Sequence, residues 1–111
     1  MKDPAGILNL TEVPWRASRI GAGVTAPKVL YRVEPEYTEV ARKAGFQGTI
    51  VLKLLVDENG RPRAIRTVRP LGMGLDEAAV AAVRKWRFRP GEKDGKPVVT
   101  EATIEIGFRV L

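Results

Sequence analysis

The chain has 111 residues, 44% of them hydrophobic and 29% charged, with no Cys and no His, so it reads as one globular domain in which disulfide, thiolate and imidazole chemistry are excluded. A formal net charge of +6 arises from 19 basic and 13 acidic residues, and eleven of the basic against six of the acidic ones fall in residues 61–111. Such an excess points to an anionic partner or to solubility alone. No apolar run approaches the ~20 residues of a membrane helix. Met1-Lys2-Asp3-Pro4 does not open a secretory leader, so work outside the cytoplasm would require a targeting segment that has been cut away or lies in a longer parent protein.

Residues 1–23 carry Pro4, Pro14 and three glycines without a sustained period, yet Ile7, Leu8, Leu10, Val13 and Trp15 are apolar for a bare spacer. They are expected to form an N-terminal arm or the remnant of a linker, with the domain over 24–111. Residues 28–33 predict a short strand ended by Glu34-Pro35. Pro35 suits the first turn of a helix over 36–44, in which Tyr37, Val40, Ala41 and Ala44 share one face before a stop at Gly45. From Gly48 the pattern alternates: Ile50, Leu52, Leu54 and Val56 on one side, Thr49, Val51, Lys53 and Leu55 on the other. Asp57-Glu58-Asn59-Gly60 then predicts a tight turn, and residues 62–68 a basic return strand. Residues 75–86 predict a helix with Leu75, Ala79, Val83 and Trp86 as its buried stripe, acidic at its start and basic at its end, as the helix dipole favours. Asp94-Gly95 predicts a second turn. In the last strand, 98–109, Thr100, Ala102, Ile104, Ile106 and Phe108 alternate with Glu101, Thr103, Glu105, Gly107 and Arg109, one dry face and one wet. The order (β)αββαβ is α+β, a small antiparallel sheet of three to four strands with two helices packed on one face.

Three groupings imitate chemical sites. Gly72-Met73-Gly74 resembles the start of a dinucleotide fingerprint, but Asp76 and Glu77 would repel a pyrophosphate from that helix start. Asp57, Glu58 and Asn59 lack the spacing of a calcium loop. Glu34, Glu36 and Glu39 stand near no nucleophile. No catalytic residue, cofactor or metal site is expected, and the chain reads as no enzyme. The basic windows (Arg61, Arg63, Arg66, Arg69 and Arg84, Lys85, Arg87, Arg89) raise a nucleic-acid-binding module as an alternative. The aromatics, however, are placed inward and build no stacking platform, which argues against nucleic acid as the partner. The last strand suggests something else. At a sheet edge its unpaired backbone would be a template for another strand, with Glu101, Glu105 and Arg109 restricting promiscuous pairing.

The ordered pattern over about residues 19–110 resembles the C-terminal domain of the TonB family of energy-transducing proteins. It is carried by Ala26-Pro27-Lys28-Val29-Leu30, Val33-Glu34-Pro35-Glu36-Tyr37, Gly45-Phe46-Gln47-Gly48-Thr49-Ile50, Val56-Asp57-Glu58-Asn59-Gly60, Gly74-Leu75-Asp76-Glu77-Ala78-Ala79, Val83-Arg84-Lys85-Trp86-Arg87-Phe88-Arg89-Pro90 and Ile104-Glu105-Ile106-Gly107-Phe108. The resemblance implies a periplasmic domain of an inner-membrane-anchored protein, with the anchor and a proline-rich spacer outside this chain. It implies an ExbB/ExbD-type motor acting through that N-terminal region. It further implies capture of the TonB box of an outer-membrane receptor beside the last strand, where Val99, Glu101, Thr103, Glu105 and Arg109 would flank the added segment. Glu34, Pro35, Glu36 and Tyr37, in the loop before the first helix, are implied as a second receptor contact. The family usually has Tyr-Pro there, and this chain has Tyr37-Thr38. A homodimer through exposed edge strands is a further alternative from the same geometry.

Overall fold

The period-two alternation of residues 48–56 builds the centre of the fold. These residues form strand β2 (Gly48–Val56), and Ile50, Leu52, Leu54 and Val56 are each at most 2% exposed. The computed structural model describes residues 23–109, so the expected arm lies, apart from Gly23, outside the described residues. The remaining elements are β1 (Lys28–Tyr31), α1 (Glu39–Lys43), β3 (Pro62–Arg69), α2 (Leu75–Val83), β4 (Arg87–Arg89), β5 (Glu92–Lys93), β6 (Lys96–Pro97) and β7 (Thr100–Phe108). The class is α+β. One antiparallel sheet has the order β3-β2-β7, while the predicted first strand joins β4 in a separate two-stranded ladder. Strands β5 and β6 form a hairpin across Asp94 (φ 53°) and Gly95 (φ 77°), the positive pair that a two-residue turn demands.

One face of the sheet is dry. Ile50, Leu52, Leu54, Val56, Ile65, Ile106 and Phe108 pack with Ala41, Leu75, Ala79, Val80, Val83, Trp86 and Phe88 into a single core. The stripe predicted for the second helix is buried as expected, but the helix ends at Val83. The N–H groups of Lys85 and Trp86 turn to the carbonyls of Ala82 and Val83, three residues back, a tightening common at helix ends. At the other end, Asp76 accepts the N–H groups of Leu71 and Gly72 at 2.8 Å each. The amides before α2 therefore already hold a carboxylate, and the Gly72-Met73-Gly74 segment is a strand-to-helix turn.

The first helix differs more from expectation. It spans five residues and starts after Thr38, whose hydroxyl accepts the Ala41 N–H at 3.4 Å. Pro35 thus lies in a segment without regular structure upstream rather than in a first helical turn. Only Ala41 of the predicted face is fully buried, and Val40 is 59% exposed. A threonine that can cap competes with continued helix on its N-terminal side. The helix closes as the sequence suggests, with Gly45 and Phe46 N–H groups on the carbonyls of Arg42 and Ala41 at 3.0 and 2.9 Å.

The β2–β3 turn depends on Gly60. Its φ is +80°, and a Cβ there would stand 1.9 Å from the Phe88 carbonyl oxygen. This close approach lets Gly60 accept the Phe88 N–H at 2.8 Å, tying β4 to the hairpin. Asp57 is 5% exposed and accepts from the N–H groups of Asn59 and Arg61 and from Arg63 Nε at 2.9, 2.9 and 3.1 Å. Its carboxylate staples the turn. The second face of the sheet is not wholly wet: Leu55, Ala64 and Val99 form a small buried cluster there. Ala64 reaches it through a bulge in β3, with φ 52°.

Thr100 is fully buried and its hydroxyl has no hydrogen-bond partner among the described residues. An unpaired buried hydroxyl is costly. Thr100→Val, of nearly the same shape, is expected to stabilise the domain by about 1 kcal/mol, read as a raised urea midpoint at unchanged slope.

Candidate functional site

The site is built on β7. From Gly48↔Phe108 to Val56↔Thr100 it pairs with β2 through nine consecutive residue pairs without a register shift. On its other side no strand pairs with it among the described residues. In an antiparallel strand every second residue aims its N–H and C=O away from the existing partner, so β7 presents a straight row of backbone donors and acceptors. Its interior has no proline or bulge to interrupt that row. Glu101, Thr103, Glu105, Gly107 and Arg109 are all exposed, while Ile106 and Phe108 are buried. Val99 differs: it is 4% exposed, packed with Leu55 and Ala64, so its side chain does not face a partner. It precedes the strand on the face that holds Leu55, which is covered there rather than wet.

Register also orders the charge. Across the open face Arg63 stands by Leu55 and Leu55 by Glu101, Arg66 by Lys53 and Lys53 by Thr103, Arg69 by Val51 and Val51 by Glu105. Guanidinium groups line the β3 side and carboxylates the β7 side. Between them, Lys53, Leu55, Ala64, Arg66, Glu101 and Thr103 enclose a hollow of about 280 Å³. An incoming strand on β7 would therefore meet carboxylates at its edge, and the arginine window of 61–69 lies two strands away.

The loop of Glu34, Pro35, Glu36 and Tyr37 is fixed from several sides. Tyr37 donates its hydroxyl to the Phe46 carbonyl, and its ring meets Phe108 edge-on, with centroids 5.5 Å apart at 78°. The Trp86 indole N–H donates to the Val33 carbonyl at 2.9 Å. Arg32 lies 5.1 Å over the Trp86 ring and pairs with Glu34 at 3.0 Å. Thr38, at the position where proline was the familiar residue, donates its hydroxyl to the Met73 carbonyl at 2.7 Å. That bond joins the loop to the turn before α2. Glu34 and Glu36 remain exposed.

The fold thus brings the loop to the Phe108 end of β7 through Tyr37. It does not bring it to Glu101, which lies seven residues further back along the strand, on the order of 20 Å away. The helix that faces this loop was not singled out in the sequence as part of a site. Val33, Glu34, Pro35, Glu36 and Thr38 face Ala78, Ala81, Ala82 and Lys85 across a groove of about 350 Å³. The stretch 78–82 is rich in alanine. Ala79 and Ala82 are buried, whereas Ala81 is exposed, and the small side chains of Ala78, Ala81 and Ala82 leave the groove open.

Tyr37→Phe keeps the ring against Phe108 and removes the bond to Phe46. The expected result is a loss of about 1 kcal/mol, with faster amide exchange at residues 34–38 and no change along β2. Native-state hydrogen exchange reads both.

Residues 33–110 match the family model described as Gram-negative bacterial TonB protein C-terminal. Protein TonB of Vibrio cholerae is 28% identical over 106 residues, covering 87% of this chain and 43% of that protein. Protein tonB2 of Pseudomonas aeruginosa is 33% identical over 82 residues, covering 73% of this chain and 30% of that protein. The chain thus spans less than half the length of these curated relatives. Among solved structures, the solution NMR structure of the Pseudomonas aeruginosa TonB CTD superposes with a TM-score of 0.63 at 24% identity, over 84% of this chain and 93% of that one. The tonb2 protein from Vibrio anguillarum gives 0.55 at 31% identity, over 94% and 98%.

Proposed function

Since the chain belongs to the family of Gram-negative bacterial TonB protein C-terminal domains, we propose that it is the receptor-docking domain of an energy transducer, without enzymatic activity of its own. In this reading it works in the periplasm, carried by a parent protein anchored in the inner membrane. The TonB box of an outer-membrane receptor adds as a strand along β7. Force from an ExbB/ExbD-type motor reaches it through the parent's N-terminal region. The loop at 34–38 and the groove beside it make the second receptor contact. One observation carries this reading: β7 is a nine-residue strand in unbroken register on one side and, among the described residues, without a strand partner on the other.

The energetics suit a reversible coupling. Each added backbone hydrogen bond nets ~0.5–1.5 kcal/mol, and ordering a flexible segment offsets ~2–5 kcal/mol of the gross gain. The resulting affinity is modest. Pulling along the paired strands loads their bonds together, so a complex of modest affinity can still carry force.

Titrating the isotope-labelled chain with a receptor N-terminal peptide containing the box is expected to shift amide signals along 100–108 and at 33–38. Shifts confined to residues 61–69 and 84–89 would remove the edge-docking reading.

A further inference from the structure

The β1–β4 ladder carries exposed side chains that neither the core nor the β7 edge uses. Its register runs Lys28↔Arg89 and Val29↔Phe88, then shifts so that Tyr31 stands opposite Arg87. Leu30 is the extra residue of a bulge, a device that re-aims side chains and leaves two residues opposing one. Along β4, Arg87 and Arg89 are exposed and Phe88 between them is 4% exposed. The outward face is therefore that of the two arginines, and their partners Tyr31 and Lys28 share it. Leu30 is 69% and Tyr31 59% exposed. The bulge holds two successive large apolar side chains in solvent beside three cations.

Those cations are not neutralised locally. Lys28, Arg87 and Arg89 take part in none of the salt bridges found among the described residues. Arg87 directs its donors to the carbonyls of Arg84 and Trp86. The carboxylates in the neighbourhood are Glu92, which lines a shallow recess with Lys28 and Arg89, and Glu34, which is tied to Arg32.

We propose that the outward face of this ladder is a contact site for an anionic phospholipid surface, with Leu30 and Tyr31 entering the interface and Lys28, Arg87 and Arg89 meeting headgroup phosphates. Shape selects this partner over a peptide. A peptide docks into a groove or onto a strand edge, whereas Leu30 and Tyr31 protrude and line none of the hollows described above. A bilayer interface accepts a protruding apolar pair, places a tyrosine ring at headgroup depth, and supplies the complementary charge. This inference stands on side chains that strand addition on β7 does not involve.

Cosedimentation of the whole chain with vesicles of phosphatidylcholine alone, and of phosphatidylcholine mixed with phosphatidylglycerol, tests it. Binding is expected to the mixed vesicles only, weakening as salt rises. The Leu30→Ser, Tyr31→Ser double variant and the Arg87→Gln, Arg89→Gln double variant are each expected to lower partitioning ~10-fold or more. Both should keep the native NMR spectrum of the core and the response of β7 to a box peptide. Failure of the wild-type chain to bind mixed vesicles at low salt overturns the proposal. So does undiminished binding by the serine variant. A dimer in sedimentation that the serine substitutions abolish, without vesicle binding, assigns the face to a second copy instead and equally overturns it.

Discussion

Trp86→Ala is expected to remove a large share of the domain's stability at room temperature. Trp86 is 2% exposed and sits in the core with Leu75, Val83 and Phe88. Truncating a buried tryptophan costs ~3–5 kcal/mol, against a total stability of ~5–15 kcal/mol for a domain of this kind. The same change deletes the indole donor to Val33 and the ring under Arg32. Trp86→Phe separates these effects. It retains an aromatic ring in the core but cannot donate to Val33, leaving that carbonyl without its partner, and it weakens the stack with Arg32. A loss of roughly 1–2 kcal/mol is expected, concentrated in the loop. Urea unfolding followed by circular dichroism measures the total. Hydrogen exchange at residues 33–38 measures the local share, and exchange there unchanged from wild type would mean that Tyr37 and Thr38 hold the loop without Trp86.

The parts of this fold that were legible in the sequence share a cause. Residues 48–56 and 100–108 alternate because one face of each strand is buried and the other is not, so period alone assigns both strands and their inward residues. The stripe Leu75, Ala79, Val83 and Trp86 was legible for the same reason. The illegible parts depend on contacts distant in sequence. Thr38 starts α1 where it does while its hydroxyl bonds a carbonyl 35 residues away. The short β1 pairs with β4 rather than entering the central sheet, and a four-residue pattern contains no information about that choice. Val99 reads as one more position in an alternating run, yet its burial depends on a bulge in β3 that brings Ala64 beside Leu55. Of the candidate site, the outward set Glu101, Thr103 and Glu105 followed from the alternation, whereas the edge position of β7 did not, because the central β2 alternates as well. Nor did its junction with the loop, because the Tyr37–Phe108 contact joins residues on two elements that local pattern treats separately.

The edge of β7 that no strand pairs with among the described residues makes a two-position prediction. Ala102 and Thr103 are adjacent, paired with Leu54 and Lys53 of β2, and in an extended strand their N–H groups aim to opposite edges. One bonds β2 and the other faces the open side. Proline removes the N–H and puts ring carbons in its place. At the position facing β2 it is expected to destabilise the domain by roughly 2–4 kcal/mol. At the other it is expected to change stability by about 1 kcal/mol or less while weakening a box peptide by ~10-fold or more. Unfolding midpoints for Ala102→Pro and Thr103→Pro identify which position is which, and calorimetric titration of the stable variant with the peptide reads the second effect. Thr103→Ala, which keeps every backbone group, should bind within about twofold of wild type. If the stable proline variant binds the peptide as tightly as wild type, the partner does not use the backbone of β7, whatever else it touches. If it loses binding while the alanine variant does not, recognition lies in main-chain pairing rather than in the side chains of β7.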